Sequence, residues 1–314
     1  MNALIPLISV IIPCYNQARF LGAAIESVLS QSWSHHEIIV INDGSADNTS
    51  EVASRYPEII FLDEKKQGRS AARNHAVNSS HGEYLVFLDA DDLLMPDALA
   101  EGLNFMQQHP ECGLVYGRYR LIEEDGNPID CVPDQQLGED CYYELLRRNC
   151  IGMMGTVLWR RDVFEETGGF NPQRHACEDY DLYLKIARHY PIKHHSYLTA
   201  LYRQYNETPT LNARILLKAQ EKLFAEQKPY IKDDPRYEKV IQDGLKHIRD
   251  FQSNKMLTEL LRVAKHPGKW PQAFMTLCCL LRYRPGMMLR YFARKAGSLA
   301  APRATQASPV IRRD

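Results

Sequence analysis

The sequence predicts an α/β protein, a mainly parallel sheet flanked by helices, followed by an α-helical C-terminal region. Three observations predict it. Over the first hundred residues, short β-branched runs alternate with helical patterns four times. Those runs are apolar on both faces, as strands must be when helices cover the sheet from either side. Beyond about residue 209 only helical patterns remain.

The elements follow in order. "LISVIIP" (7–13) precedes a helical stretch at 18–31, "EIIVIND" (37–43) precedes 47–56, "EIIFLDE" (58–64) precedes 69–79, and "EYLVFLDA" (83–90) precedes 96–108. From 110 to 205 the pattern is less regular: a strand at 113–121, a helix at 139–148, an apolar piece "GTVLWRR" (155–161), a helix at 178–189 and a strand at 192–202. Helices are then expected at 210–228, 235–264, 271–283 and 286–297, before a tail, "APRATQASPVIRRD", expected to be disordered. This organisation gives a domain over 1–205, a helical region over 206–298 and a basic tail over 299–314, with no internal repeat.

Composition narrows the class. At 314 residues and 45% hydrophobic content, the chain can bury a substantial core. The net charge of -1 hides an asymmetry, because residues 265–314 hold ten Lys or Arg and one acid, Asp314. That segment carries +9 and the remainder -10. Eight cysteines without a CxxC pair argue against structural zinc and secreted disulfide scaffolds, and fit reduced thiols in a cytoplasmic setting. "MNALIPLISVIIP" lacks the basic start and small-residue cleavage site of a leader and reads as a first strand. No run of eighteen apolar residues exists to span a bilayer, and no nucleic-acid partner is expected.

In parallel sheets ligands bind outside the carboxyl ends of the strands, so the residues at those ends matter most. After the fourth strand, "FLDADDLLMP" gathers Asp89, Asp91 and Asp92. Several carboxylates together are costly without a compensating cation, and a D-x-D spacing lets acids converge on one divalent ion. The plainer reading is an acidic turn before a helix, with Asp92 as a solvated cap. "PCYNQARF" ends the first strand with Pro13, Tyr15 and Asn16, where an aromatic could stack on a flat base or simply sit in a loop. "INDGSADNT" ends the second with Asp43 and Gly44. Asp47 or Asn48 can cap the next helix, but Asp43 has no evident structural duty. "KKQGRSAARN" places Arg69 and Arg73 where guanidinium groups could meet phosphate or a base edge, while Lys65 and Lys66 read as surface charge. "CEDYDLY" opens a helix with Glu178, Asp179 and Asp181, of which Asp181 reads as an acid favoured by the helix dipole.

Taken together, "ISVIIPCYN", "EIIVINDGSADNT", "QGRSAARN", "GEYLVFLDADD", "GTVLWRRDVFEETGGFN" and "CEDYDLYLKIARHYP" resemble the inverting family 2 glycosyltransferases of the GT-A fold, over roughly residues 7–205. The absence of GxGxxG and GxxxxGK[ST] removes other nucleotide-binding rivals. The resemblance implies a metal-dependent transfer of sugar from a nucleotide-sugar donor, a UDP-sugar, to a saccharide or lipid-linked saccharide in surface polysaccharide or lipopolysaccharide assembly. It implies a base pocket from Pro13, Tyr15 and Asp43, a further nucleotide contact from Arg73, Asp89 on the ribose side and Asp91 on a divalent cation, Mn²⁺ or Mg²⁺. It makes Asp179 the catalytic base and "GTVLWRRDVFEETGGF" the acceptor-side wall, with Trp159 either core or sugar platform.

One departure stands out: where the family often has a histidine after a Tyr-Arg pair, "LYRQYNETPT" has Tyr205, leaving the third metal ligand open. His194 and His195 read as structural residues of a strand. A nucleotidyltransferase would need a glycine-rich basic loop after the first strand, which "CYNQARF" is not. A silent sugar-nucleotide-binding module would be expected to have lost the ED pair or the DAD triplet, and both stand intact. Finally, "PQAFMTLCCLL" (271–281) followed by "RYRPGMMLRYFARKAG" reads as basic amphipathic helices over 265–298. These lie on an anionic membrane at the cytoplasmic leaflet or pack as a hairpin on the catalytic domain.

Overall fold

The computed structural model describes residues 5–131, 136–205, 213–231 and 234–286. Four strand–helix units come first: β1 (Ile8–Cys14) and α1 (Ala18–Leu29), β2 (His36–Asp43) and α2 (Thr49–Ala53), β3 (Ile60–Glu64) and α3 (Arg69–Asn78), and β4 (Tyr84–Phe87). A two-residue β5 (Leu93–Leu94) leads into α4 (Ala98–Gln108). Next come β6 (Leu114–Ile122), β7 (Pro128–Cys131), α5 (Cys141–Arg147), β8 (Val157–Arg160), α6 (Arg161–Glu166), α7 (Glu178–Ala187) and β9 (Ile192–Arg203). The helices α8 (Ala213–Gln227), α9 (Pro235–Val263) and α10 (Trp270–Tyr283) follow.

The strands form one sheet in the order β3-β2-β1-β4-β8-β6-β9-β5, with β7 paired to β6. β1, β2, β3 and β4 are mutually parallel, as their unbroken apolar runs predict. The other half is mixed: β8 runs antiparallel to β4 and β6, while β6 and β9 pair in parallel. The short elements β5, β7 and α6 fall in stretches too brief for a periodic signal.

Helices cover both faces. One core packs Ile8, Val10 and Ile12 of β1 against Leu21, Ile25 and Val28 of α1. On the opposite face Phe87, Trp159, Phe164, Phe170 and Tyr183 form an aromatic cluster, with the Trp159 and Tyr183 rings stacked at 5.3 Å. Trp159 is fully buried, so it is a core residue and not a sugar platform.

The chain divides into two compact units, 1–211 with 218–245, and 212–217 with 246–314. Within the first, Tyr142 donates to Gln227 Oε1 at 3.0 Å and Gly244 abuts the Leu146 carbonyl. The second contains most of α9 and all of α10, and Gln272 of α10 donates to Glu259 of α9 at 2.7 Å. No helix among the described residues is long and apolar enough to cross a membrane. The helix expected at 286–297 and the tail lie, beyond residue 286, outside the described residues.

Candidate active site

The carboxyl ends of β1, β2 and β4 open onto a cleft of about 620 Å³, lined among others by Pro13, Tyr15, Asp43, Arg73, Asp89 and Asp91. That size suits a small-molecule ligand. The six residues expected to meet a nucleotide thus come together from segments up to 78 positions apart.

Neighbours from other loops hold the segments that carry them. Asn16 takes a left-handed conformation (φ 54°), which Asn tolerates. Its N–H donates to Ser45 Oγ at 2.9 Å and its side-chain oxygen accepts from Ala46 N at 2.8 Å. Asp47 does more than cap: Oδ1 accepts from the Thr49 hydroxyl at 2.5 Å and Oδ2 from Ala18 N at 2.9 Å, tying the starts of α1 and α2 together. Asp43, which had no evident structural duty, has one. It is buried and accepts from Gln67 N at 2.6 Å and Gly68 N at 3.0 Å. Gly44 makes this approach possible, because at φ 73° a Cβ there would lie 2.8 Å from Lys66 N.

Lys66, exposed as a surface charge should be, also lines the cleft: its Nζ lies 3.8 Å from the centre of the Tyr15 ring. Its place follows from the loop that Asp43 draws in, which no local pattern announces. Ser70, buried in the first turn of α3, also lines the cleft. Pro172, Arg174 and His175 form its far wall. They follow the segment expected to serve the acceptor, whose Trp159, Phe164 and Phe170 are core.

β4 stops at Phe87, and the next residues turn sharply, with Asp92 N donating to Asp89 O at 3.0 Å. The three acids separate. Asp89, 46% exposed, accepts from Arg73 Nη2 at 2.7 Å. Asp91 Oδ2 accepts from the Tyr205 hydroxyl at 2.6 Å. Asp92 is not a solvated cap: at 2% exposure it accepts from Arg203 N at 2.9 Å. Burial, reinforced by Asp89, raises the Asp91 carboxyl, and burial with Asp89 and Asp91 raises Asp92 well above the ordinary range. Burial and the Asp91 carboxylate push the Tyr205 phenol up, so it stays a donor.

Arg73 links this turn to α7. Its guanidinium, 2% exposed, also donates to Glu178 Oε1 at 3.2 Å, and Arg69 approaches the same oxygen at 3.4 Å. Burial works against the charge on Arg73, but Asp89 and Glu178 together outweigh it and raise the group further. Cys177, left-handed at φ 62°, sets the start of α7. Asp179 does not line the cleft, but it adjoins Glu178, and burial first, then Glu178, pushes its carboxyl up to about 6. Asp181 lies in the first turn of α7, as expected of a helix-start acid, but it is also buried and pairs with Arg174 at 3.0 Å and Lys185 at 2.9 Å. His194 and His195 sit on β9, and burial lowers His195 to about 4.

Among the described residues no group of three or more His, Cys, Asp or Glu is disposed to hold a metal ion. Asp89 and Asp91 nonetheless suit a hard divalent cation. Both line the cleft, both offer oxygen, and the repulsion of Asp91 by the like charge of Asp89 would be relieved by one. Mg²⁺-type sites commonly use one or two carboxylates and take their remaining ligands from substrate phosphates and water.

The model of the family described as Glycosyl transferase family 2 matches residues 9–168. An uncharacterized glycosyltransferase of Rickettsia felis is 34% identical over 201 residues, covering 61% of this chain and 33% of that protein. A Bacillus subtilis protein whose name places it among teichuronic acid biosynthesis glycosyltransferases is 37% identical over 172 residues, covering 52% of this chain and 64% of that one. The chain thus spans a third to two thirds of the length of these relatives. Among solved structures, Staphylococcus aureus TarS residues 1–349 in complex with UDP-GlcNAc superposes with a TM-score of 0.65 at 16% identity, over 88% of this chain and 81% of that one. The mannosyltransferase PcManGT of Pyrobaculum calidifontis, in complex with GDP-Man and Mn²⁺, gives 0.59 at 18% identity over 95% and 81%. At these identities the likeness concerns the fold, which is the GT-A fold.

Proposed function

This chain belongs to glycosyl transferase family 2, and from that premise we propose that it is a glycosyltransferase that performs a metal-assisted, inverting transfer from a UDP-sugar to a hydroxyl of a saccharide or lipid-linked saccharide. The observation that carries this reading is the meeting of Tyr15, Asp43, Asp89 and Asp91 in one cleft at the strand ends. Tyr15 offers a flat face to a base. Asp43 offers a carboxylate to a ring N–H, while its bonds to Gln67 and Gly68 fix its direction. Asp89 is on the ribose side, and Arg73 contacts the nucleotide while orienting Asp89.

Asp89 and Asp91 would hold Mn²⁺ or Mg²⁺. When bound, the cation supplies positive charge to the departing diphosphate. Asp179 takes the proton of the acceptor hydroxyl, whose oxygen forms a bond to the anomeric carbon as the bond to the diphosphate breaks on the opposite side. A carboxylate near pKa 6 suits that task, because it is ionised at neutral pH yet basic enough to share a proton in the transition state. The teichuronic acid relative supports a role in surface polysaccharide assembly, and lipopolysaccharide assembly is the other setting that the family offers.

The acceptor would be met at the cytoplasmic leaflet. α10 buries Ala273, Thr276 and Leu280 on one side but leaves Trp270 and Phe274 exposed at 61% and 67% on the other. With +9 over residues 265–314, this region fits an anionic lipid surface. The described cysteines are free thiols, in keeping with a cytoplasmic place.

The test is a melting-temperature panel with UDP, GDP, dTDP and CMP, each with Mn²⁺, Mg²⁺ or EDTA. A rise with UDP that needs the cation is expected, followed by transfer from one UDP-sugar. No rise with any nucleotide would sink the proposal, a rise without transfer would favour the silent sugar-nucleotide-binding module, and a rise with GDP alone would overturn only the choice of donor.

A further inference from the structure

The end of β9 braces the acidic turn at three points. Arg203 donates its backbone N–H to Asp92 Oδ1 at 2.9 Å and its Nε to the Asp91 carbonyl at 2.8 Å. Two residues on, the Tyr205 hydroxyl donates to Asp91 Oδ2 at 2.6 Å. These residues are themselves fixed. Arg203 Nη1 reaches the Glu123 and Glu124 carbonyls at 3.2 and 2.7 Å, and its guanidinium lies 4.7 Å from the Phe20 ring. The Phe20 ring packs 5.7 Å from that of Tyr205. The phenol is thus delivered to one oxygen of one carboxylate by a packed ring and not by a mobile side chain.

A neutral phenol has one proton to give, and here it goes to Oδ2. That bond occupies a lone pair of Oδ2 and leaves Oδ1 outside it. Asp89, the other cleft carboxylate of the turn, has its Oδ1 engaged by Arg73.

We propose that Tyr205 is a positioning residue that grips Asp91 by Oδ2 and presents Oδ1 to the divalent cation, so that the protein's hold on the cation is weak until a nucleotide diphosphate completes it. The proposal rests on the metal-assisted donor site proposed above. It assigns Tyr205 a role that a histidine there could not fill in the same way. An imidazole nitrogen would be a ligand in its own right and would make the cation less dependent on the nucleotide.

The experiment is Mn²⁺ binding followed by electron paramagnetic resonance on the full chain, with and without UDP, for the wild type, Tyr205→Phe and Tyr205→His. The wild type should bind Mn²⁺ at least tenfold more tightly with UDP present. Tyr205→Phe keeps the ring against Phe20, so its melting temperature should stay near the wild-type value, while Mn²⁺ affinity in the UDP complex should fall by roughly ten- to a hundredfold, the range for loss of a partner that orients a metal ligand. Tyr205→His should bind Mn²⁺ more tightly than the wild type in the absence of UDP. If Tyr205→Phe with UDP holds Mn²⁺ as the wild type does, Tyr205 is only a packing residue and the inference fails, with the donor-site reading intact. If Mn²⁺ binding by the wild type ignores UDP, the metal reading itself falls and takes the inference with it.

Discussion

Two short stretches carry three acids in four residues: Asp89, Asp91 and Asp92 after β4, and Glu178, Asp179 and Asp181 at the start of α7. The structure disposes of them in parallel. Asp89 and Glu178 share the guanidinium of Arg73. Asp92 and Asp181 are buried anchors, the first held by the Arg203 N–H and the second by Arg174 and Lys185. In Asp91 and Asp179, as in Asp92, burial raises the carboxyl. The two stretches part at these last residues. Asp91 is gripped by a phenol and lies in the cleft beside a second carboxylate. The hydrogen bonds to the Asp179 side chain come from backbone N–H groups, its own and that of Tyr180, the latter at 2.8 Å. The first arrangement suits a cation, which needs oriented oxygens; the second suits a proton, which needs a single basic site.

The contrast breaks most severely if Asp179 is not a proton acceptor. Asp179→Asn should lower transfer by roughly 10²- to 10⁴-fold, the usual worth of a general base, with UDP affinity little changed. In the wild type kcat/KM should climb with unit slope through about pH 6 and then level, because the base works only when ionised. An Asn variant that still transfers sugar at wild-type rates, or a profile without that limb, would remove the base from α7.

Arg73 joins the two stretches, and its loss tests whether they form one structure. Arg73→Ala would leave Glu178, itself 6% exposed, with only the more exposed Arg69 as a counter-charge. Removing one partner of a buried pair costs about 3–5 kcal/mol, and the exposure of Asp89 places the expected loss nearer 3. Urea denaturation measures it. Arg73→Ala combined with Glu178→Gln should recover part of the loss, and independence of the two changes would show that the stretches are separately supported.

The parallel between the stretches was only half legible in the sequence. Strands and their ends announce themselves through local pattern, so β1 to β4 fall where periodicity places them and bring Pro13, Tyr15, Asp43, Asp89 and Asp91 to one cleft, which Arg73 also lines. Partners do not. Arg73 and Glu178 stand 105 positions apart, Arg203 and Asp92 111, Tyr205 and Asp91 114. For that reason Asp92 reads as a solvated cap and Asp181 as no more than a helix-start acid although each has a buried partner, and Lys66 reads as surface charge although a tyrosine ring lies beneath it. Tyr205 was visible as a departure from the family, but its meaning depends on where β9 ends. His175 carries no signal at all, since only the path of the chain between α6 and α7 brings it to the cleft.

The smallest effect concerns stability, and it runs against the largest. A carboxyl whose folded pKa, about 6, stands above its unfolded value keeps its proton longer in the native state. The native fold therefore loses stability as pH rises from about 4 through 6, and at neutral pH the ionised Asp179 is a burden on folding. Asp179→Asn removes that burden while keeping the shape of the side chain. It should stabilise the protein by about 1–2 kcal/mol at pH 8, less than a two-unit shift would give in full, because the side chain retains some contact with solvent. At pH 4 the gain should vanish, since the wild-type carboxyl is then protonated in the native state. Denaturation at the two pH values separates the possibilities. A gain equal at both would mean that the amide is better packed, not that a strained charge has gone. No gain at pH 8 would mean that the surroundings of Asp179 tolerate its charge, and the contrast between a stretch built for a cation and one built for a proton would lose its energetic basis.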